Sequence, residues 1–520
     1  MGLSAWAEGD RPLGTVTSCW TSLQYPGHGF EISLAPRGMF FSSFRSARGD
    51  KEIGPQGQEK KINPPGDKRF QPLAKVRPMH SMHHSNRLHH AARFSRRRFL
   101  AGGVAAVPLL VPRHVLAAFG QPAANDKIGV GYIGVGRRGN QLMGLPQEGQ
   151  IVAVADLDRR RADAVAARRK CRAYYDYRKL LEARDVDAVV IAVPDHWHVL
   201  AAIHACQAGK DVYLEKPLSL TIREGRALVA AVRKLGRVLQ TGSQRRSMAG
   251  HRKGCELVRN GRAGKIHTVL IMNYPSPWEA RFPAQPVPKE LDWDTWCGPT
   301  EPVPYHDDLF IQRSKPGWIS LRPYSGGEMT GTGAHGFDQI QWALDLDHTG
   351  PVEIWCEGGK LQSPIYTEPE SLERGNRLTS RGRRVQMRYA NGILVRLEEN
   401  ESAAGATFIG DQGKIRIGNN TVDSNPPEIA KEPLESLPPH VQVSDNHLQN
   451  WFDAIKSRRK PIADVEIGHR SAILCHLGNI ARWVGRPLRW DPEKEIFPGD
   501  DEANAYLDRP RRKGYELPEV

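Results

Sequence analysis

The stretch Lys127 to Ile133 runs directly into Gly134-Val135-Gly136-Arg137-Arg138-Gly139, and this junction constrains the chain more than any other. A short apolar run followed by G-x-G-x-x-G predicts a buried strand, a tight turn and a helix. The first glycine permits the turn, and the second lets the backbone approach a pyrophosphate. The third allows close helix–strand packing, while amides at the helix start face the anion. Alone the motif is weak. A second apolar strand, Ile151 to Ala155, strengthens it by ending at Asp156, 22 residues after Gly134. A carboxylate there accepts hydrogen bonds from a ribose 2′-hydroxyl and repels a 2′-phosphate, which favours NAD. Arg159, Arg160 and Arg161 keep NADP open, and a purely structural aspartate closing a strand is the plain alternative.

The alternation continues. Helices are predicted near 176–184, 196–208 and 221–235, the last capped by Thr221. Strands are predicted at Asp187–Val193, Asp211–Leu214 and Val238–Thr241. Strands joined by crossover helices make an α/β Rossmann (doubly wound parallel) sheet, placed at 125–245, whose ligands sit at the C-terminal strand ends. Pro194-Asp195-His196-Trp197-His198 and Glu215-Lys216-Pro217 both fall at such ends. Packing alone explains Lys216 poorly. A lysine starts near pKa 10.4 and must lose roughly 3 units to act as a base near neutrality. Burial and a positive nicotinamide both push that way. Ion pairing with Glu215 is the structural alternative.

These motifs together resemble the glucose–fructose oxidoreductase/inositol dehydrogenase family, written Gfo/Idh/MocA. Gly326-Gly327 leading into Gly333-Ala334-His335-Gly336-Phe337-Asp338 adds to the match, which runs from about Lys127 to Trp490. The resemblance implies a second domain at 246–490, an α/β domain with a large, mostly antiparallel open sheet. It also implies Lys216 as the proton-transfer residue, His335 as its partner, His198 in the nicotinamide pocket, and pairing of copies into a homo-oligomer. The cofactor set is then Gly134, Val135, Gly136, Arg137, Arg138, Gly139, Asp156, Pro194, His198, Glu215 and Lys216, with no metal. Many members carry an aspartate four residues before the histidine; this chain has Gly331. Either another acid substitutes or the reaction differs.

The local pattern agrees with such a domain. Strands are predicted at Lys265–Tyr274, Val352–Cys356, Val385–Tyr389 and Gly392–Glu398, with Asn391-Gly392 as a hairpin turn. Helices are predicted at 448–455 and 470–484, returning to the first domain, and 491–520 is set apart as a tail. A long Pro- and Trp-rich loop precedes His335. Its length and aromatics offer Trp278, Arg322 and Tyr324 as substrate contacts, with simple anchoring equally compatible.

The net charge of +15 does not mark a nucleic-acid binder, because residues 1–117 hold 17 Lys/Arg against 7 Asp/Glu. The remainder is only mildly basic, without a dense cluster. Residues 1–78 lack a helical or strand period and are expected to be disordered. Ser95-Arg96-Arg97-Arg98-Phe99-Leu100, an apolar run and Val115-Leu116-Ala117 form a secretory signal of twin-arginine type. Its position implies a start at Met79 or Met82, and a mature protein delivered to the periplasm, or otherwise outside, by the twin-arginine machinery. No stretch reaches the roughly 20 apolar residues of a membrane span. Seven scattered cysteines fit neither a zinc site nor a disulfide framework, and most are expected to be buried.

Three functions follow. One is hydride transfer to or from the CH–OH group of a sugar, sugar acid or cyclic polyol. In an exported protein the NAD must be tightly bound and recycled, since no soluble pool is at hand. Another is glycoside hydrolysis or elimination through transient oxidation by bound NAD. The third is non-catalytic binding on the same fold.

Overall fold

The computed structural model describes residues 127–310, 317–363, 365–367, 383–401 and 405–519, all within one compact unit spanning 105–520. The expected leader, the twin-arginine signal and Cys19 lie outside these residues.

The first sheet contains β1 (Ile128–Ile133), β2 (Gly149–Ala155), β3 (Arg172–Tyr174), β4 (Ala188–Ile191), β5 (Asp211–Leu214) and β6 (Leu239–Thr241). Their order is β3-β2-β1-β4-β5-β6, with every pair parallel. β1, β4 and β5 are buried along nearly their whole length, as strands covered on both faces must be. Register decides the function of this sheet. Ile133 stands opposite Ala155 and Ile191, Ala155 opposite Tyr174, Ile191 opposite Leu214, and Leu214 opposite Thr241. The residues that follow, Gly134, Asp156, Tyr175, Ala192, Glu215 and Gly242, therefore emerge along one rim.

The second sheet has eight strands, four more than the sequence pattern announced. They are β7 (Ile266–Met272), β9 (Glu353–Cys356), β11 (Val385–Arg388), β12 (Leu394–Glu398), β13 (Ala406–Gly410), β14 (Lys414–Ile417), β15 (Val422–Asn425) and β16 (Leu488–Arg489). The order is β15-β14-β13-β7-β12-β11-β9-β16, and only the β7–β12 pair is parallel. A small separate pair joins β8 (Glu279–Arg281) to β10 (Ile365–Thr367). β14 and β15 are only four residues long, too brief for a clear alternation. The expected hairpin at Asn391-Gly392 forms, with Gly392 at φ +89°.

One helix ties the halves together. Val465–Val484 starts five residues before its predicted beginning, where Asp464 caps it by accepting from the Glu466 amide, and ends at Gly485 at φ +81°. Val465 and Ala472 join the core under the first sheet, while Ile473, Leu474, Leu477 and Ile480 join that under the second. Residues beyond Trp490 are folded too, burying Phe497, Ala503 and Leu507 in the second core. Of the six described cysteines, all free, five are buried.

A buried ion pair makes a further cross-link. Arg246, just after β6, donates to Asp338 at 3.0 Å and to Asp347 at 2.6 and 2.8 Å; Asp338 also accepts from Ser471 at 2.9 Å. Asp338 is thus occupied by Arg246 and Ser471. Replacing Arg246 by Ala leaves two carboxylates without their cation, one fully buried, and is expected to cost about 3–5 kcal/mol of stability in urea unfolding.

Candidate functional site

Two cavities flank the rim, and the glycine turn lies between them. Gly134 sits at φ +84°, and a Cβ there would stand 2.6 Å from the Ala192 carbonyl oxygen. At Gly139 a Cβ would fall 2.2 Å from the Gly134 carbonyl oxygen, so the turn closes only without side chains. Gly136 caps a helix of just five residues, Arg137–Gln141, without any side-chain cap. Asp156 accepts from the Val135 amide at 2.9 Å and the Asp158 amide at 3.0 Å. Each carboxylate oxygen keeps a lone pair for a hydroxyl donor. Burial raises its pKa.

The first cavity, about 790 Å³, is lined by Gly134, Gly136, Asp156 and Pro194 on the rim. Tyr175, Tyr177, Trp197, Trp296, Phe310 and Trp318 supply aromatic walls. A hydrogen-bonding carboxylate, a side-chain-free turn and flat apolar walls suit the adenosine half of a dinucleotide. Arg161 also lines this cavity, and the three neighbouring arginines each have a contact. Arg159 lies over Tyr175 at 4.8 Å, Arg160 holds Asp158 through two bonds of 3.1 Å, and Arg161 lies over Phe310 at 4.6 Å.

The second cavity, about 940 Å³, brings together Arg137, Arg138, Asp195, His198, Glu215, Lys216, Gln244, Trp318, Ile319 and His335. Lys216 donates from Nζ to the Gly331 carbonyl oxygen at 2.8 Å, bridging the two sheets' domains. The Glu215 carboxylate accepts from Arg138 Nε at 2.8 Å. Asp195 accepts from the Ser325 hydroxyl at 2.7 Å. His198 is fixed between the Pro217 carbonyl at 2.7 Å and the Val193 carbonyl at 3.0 Å. Burial, reinforced by the charges of Lys216, Arg245 and Arg138, holds the pKa of His335 well below its usual value, so the ring is neutral.

Two models of one oxidoreductase family match this chain. Its NAD-binding Rossmann fold matches residues 128–243, and its C-terminal alpha/beta domain residues 272–517. The chain belongs to the GFO_IDH_MocA family. It is an NAD(P)-dependent oxidoreductase with an NAD-binding first domain.

Among curated relatives of this GFO_IDH_MocA chain, the uncharacterized oxidoreductase YrbE of Bacillus subtilis is 27% identical over 53% of this chain and 68% of its own length. The inositol 2-dehydrogenase of Rubrobacter xylanophilus is 37% identical over 27% of this chain. The chain spans 42% of that relative's length. Among solved structures, the WlbA dehydrogenase of Bordetella pertussis in complex with NADH and UDP-GlcNAcA aligns at 19% identity and a TM-score of 0.49, over 70% of this chain and 99% of that one.

The three loop residues expected to touch substrate line neither cavity. Trp278 and Tyr324 are buried in an aromatic cluster with Trp293, Trp296 and Phe310. Arg322 lies 4.5 Å over Trp483 and 3.4 Å from Glu279. Trp278 and Tyr324 thus contribute to the loop's own core. Trp318, Ile319 and Gln244 do line the reacting cleft, and no periodicity or motif marks them. At the position of the missing aspartate, the main-chain carbonyl of Gly331 accepts from Lys216. Among the described residues no cluster of His, Cys, Asp or Glu could hold a metal, and no helix is long and apolar enough to cross a membrane.

His196 beside the cleft is buried and donates from Nε2 to the Trp296 carbonyl at 2.9 Å; burial pushes its pKa down to about 3. Its unfolded value lies near 6.5, so the unfolded chain binds the extra proton between those limits. Stability therefore falls as pH drops below about 6.5, and His196 alone contributes a loss of about 2 kcal/mol between pH 7 and 5. A His196→Gln variant should show a shallower fall in melting temperature over that range. At the turn, Gly139→Ala is expected to abolish dinucleotide binding, as read by titration of NADH fluorescence.

Proposed function

We propose that this protein transfers hydride reversibly between NAD and a hydroxyl-bearing carbon of a sugar, sugar acid or cyclic polyol. The observation that carries this reading is the meeting of Lys216 and His335, from different domains, in the cleft beside the glycine turn. Gly134, Gly136 and Asp156 would hold the dinucleotide, which when bound accepts or supplies the hydride. NAD is favoured over NADP because Asp156 opposes a 2′-phosphate.

Lys216 takes the hydroxyl proton during oxidation and returns it during reduction. The Gly331 carbonyl orients its Nζ. His335, kept neutral, donates an N–H to the same substrate oxygen and polarises it. Arg138 holds the Glu215 carboxylate at the edge of the same cleft.

Gly331 also favours a second reading, transient oxidation of a glycoside followed by elimination, because no carboxylate orients His335 from that position. Aryl glycosides separate the two. Net NADH formation supports the dehydrogenase, while aglycone release without it supports the alternative. Export by the twin-arginine route, supported by Arg96-Arg97-Arg98-Phe99-Leu100 and the following apolar run, would require the cofactor to be loaded before crossing and retained afterwards. A fusion of residues 79–125 to a reporter that needs folded export tests it.

Lys216→Ala is expected to keep NADH binding and lower kcat/KM by about 10²–10⁴-fold, the usual worth of a positioned acid–base group. Unchanged turnover would remove the residue from the chemistry.

A further inference from the structure

The outer wall of the adenosine-side cavity belongs to the second domain. Thr295, Trp296, Phe310 and Trp318 supply it. This wall is joined to the Rossmann rim through the main chain: the Arg159 amide donates to the Glu290 carbonyl at 2.9 Å, and the Asp292 amide to the Leu157 carbonyl at 3.2 Å. The Trp296 carbonyl accepts from both His196 and the Trp197 indole. Gly298 lies flat on that indole, where a Cβ would come within 2.2 Å of the ring.

A third element holds this wall from outside. The C-terminal segment crosses back over the first domain and brings three arginines with it. Arg509 donates to Glu224 at 2.9 Å and to the His196 carbonyl at 2.9 Å, and Arg511 donates to the same buried Glu224 at 3.1 Å. Arg512 then grips the wall: its guanidinium binds Asp294 at 2.8 and 3.0 Å, and its amide donates to the Pro299 carbonyl at 3.0 Å. It also lies 4.7 Å over Tyr515, whose ring meets the Trp197 indole edge-on at 5.5 Å. Trp197 is itself a wall of the cavity.

We propose that the segment from Arg509 to Tyr515 is a latch on the dinucleotide site, and that Arg512 sets how slowly bound NAD leaves. This rests on the reading of the glycine turn as the NAD site. The helix Trp293–Cys297 lines the cavity with Trp296 and Thr295 on one side and offers Asp294 to Arg512 on the other. Moving it outward to free the adenine end breaks the Arg512 contacts first, because Asp294 is the exposed partner, with 71% of its side chain accessible. The main-chain bonds at Glu290 and Asp292 then act as the hinge side. A retained cofactor is what a chain loaded before export needs, and the latch supplies it without blocking the reacting cleft.

The test compares the full chain with Arg512→Glu, Asp294→Arg and the swapped double variant. Each protein is loaded with NADH, and loss of bound-NADH fluorescence is followed after adding excess NAD. Single variants are expected to release NADH about tenfold faster, because a bidentate pair becomes a like-charge contact, and the swap should restore slow release. Asp294 is exposed, so its variant should fold even if that at Arg512 does not. Release at the wild-type rate in the Asp294→Arg variant, or no recovery in the swap, overturns the latch. A wild-type chain that binds no dinucleotide overturns the proposed function as well, and the two failures are told apart by that baseline.

Discussion

Parallel strands of unequal sequence separation can share a rim only if their register ends them at the same level. In this chain Ile133, Ala155, Ile191, Leu214 and Thr241 stand side by side, and the glycine turn, Asp156, Glu215 and Lys216 leave from the next residue or shortly after it. A slip of one residue would reverse the faces of a strand and move its loop along the rim. The nearly complete burial of β1, β4 and β5 forbids such a slip, since each alternative exposes or crowds apolar side chains already packed on two faces.

The reacting cleft depends on a second support, which comes from the far sheet. Arg482 is buried near the end of the long helix and donates to Tyr274, Ser276, Asn273 and Arg383, satisfying its charge with oxygens rather than a carboxylate. Burial lowers its pKa to about 10, so it remains a cation at neutral pH. Asn479, one turn earlier, accepts from Ser276 at 2.7 Å and donates to the Gly326 carbonyl at 2.8 Å. The Met329 amide closes the arrangement on the Pro275 carbonyl. These bonds set the turn at Gly326-Gly327, and so the height of the Gly331 carbonyl that receives Lys216. The helix that joins the two cores thus also fixes the geometry between the two domains at the site.

Several aromatic residues show how burial and function compete for the same side chains. Trp278 and Tyr324 have the chemistry of sugar-binding surfaces, yet packing claims them: both are buried in a cluster formed by the loop's own aromatics. Trp296, Phe310 and Trp318 belong to or border the same cluster, but each also reaches a cavity. Composition cannot separate these two groups. What separates them is which side of a short helix or turn faces the rim.

The chain's local order wrote the strand–glycine turn–helix unit, the acid after the second strand, the lysine after the fifth and the hairpin at Asn391-Gly392, because each depends on neighbours within a few residues. The family resemblance, not local order, set Gly331 where many members carry an acid. The contact of its main-chain carbonyl with Lys216, 115 residues away, was invisible along the chain. So were the four unannounced strands of the large sheet and the clasp of Arg512 on Asp294 across 218 positions. Backbone turns obey short-range sterics, which a string of letters records. Contacts between distant segments follow from how two packed cores settle against each other, and only the folded chain decides that.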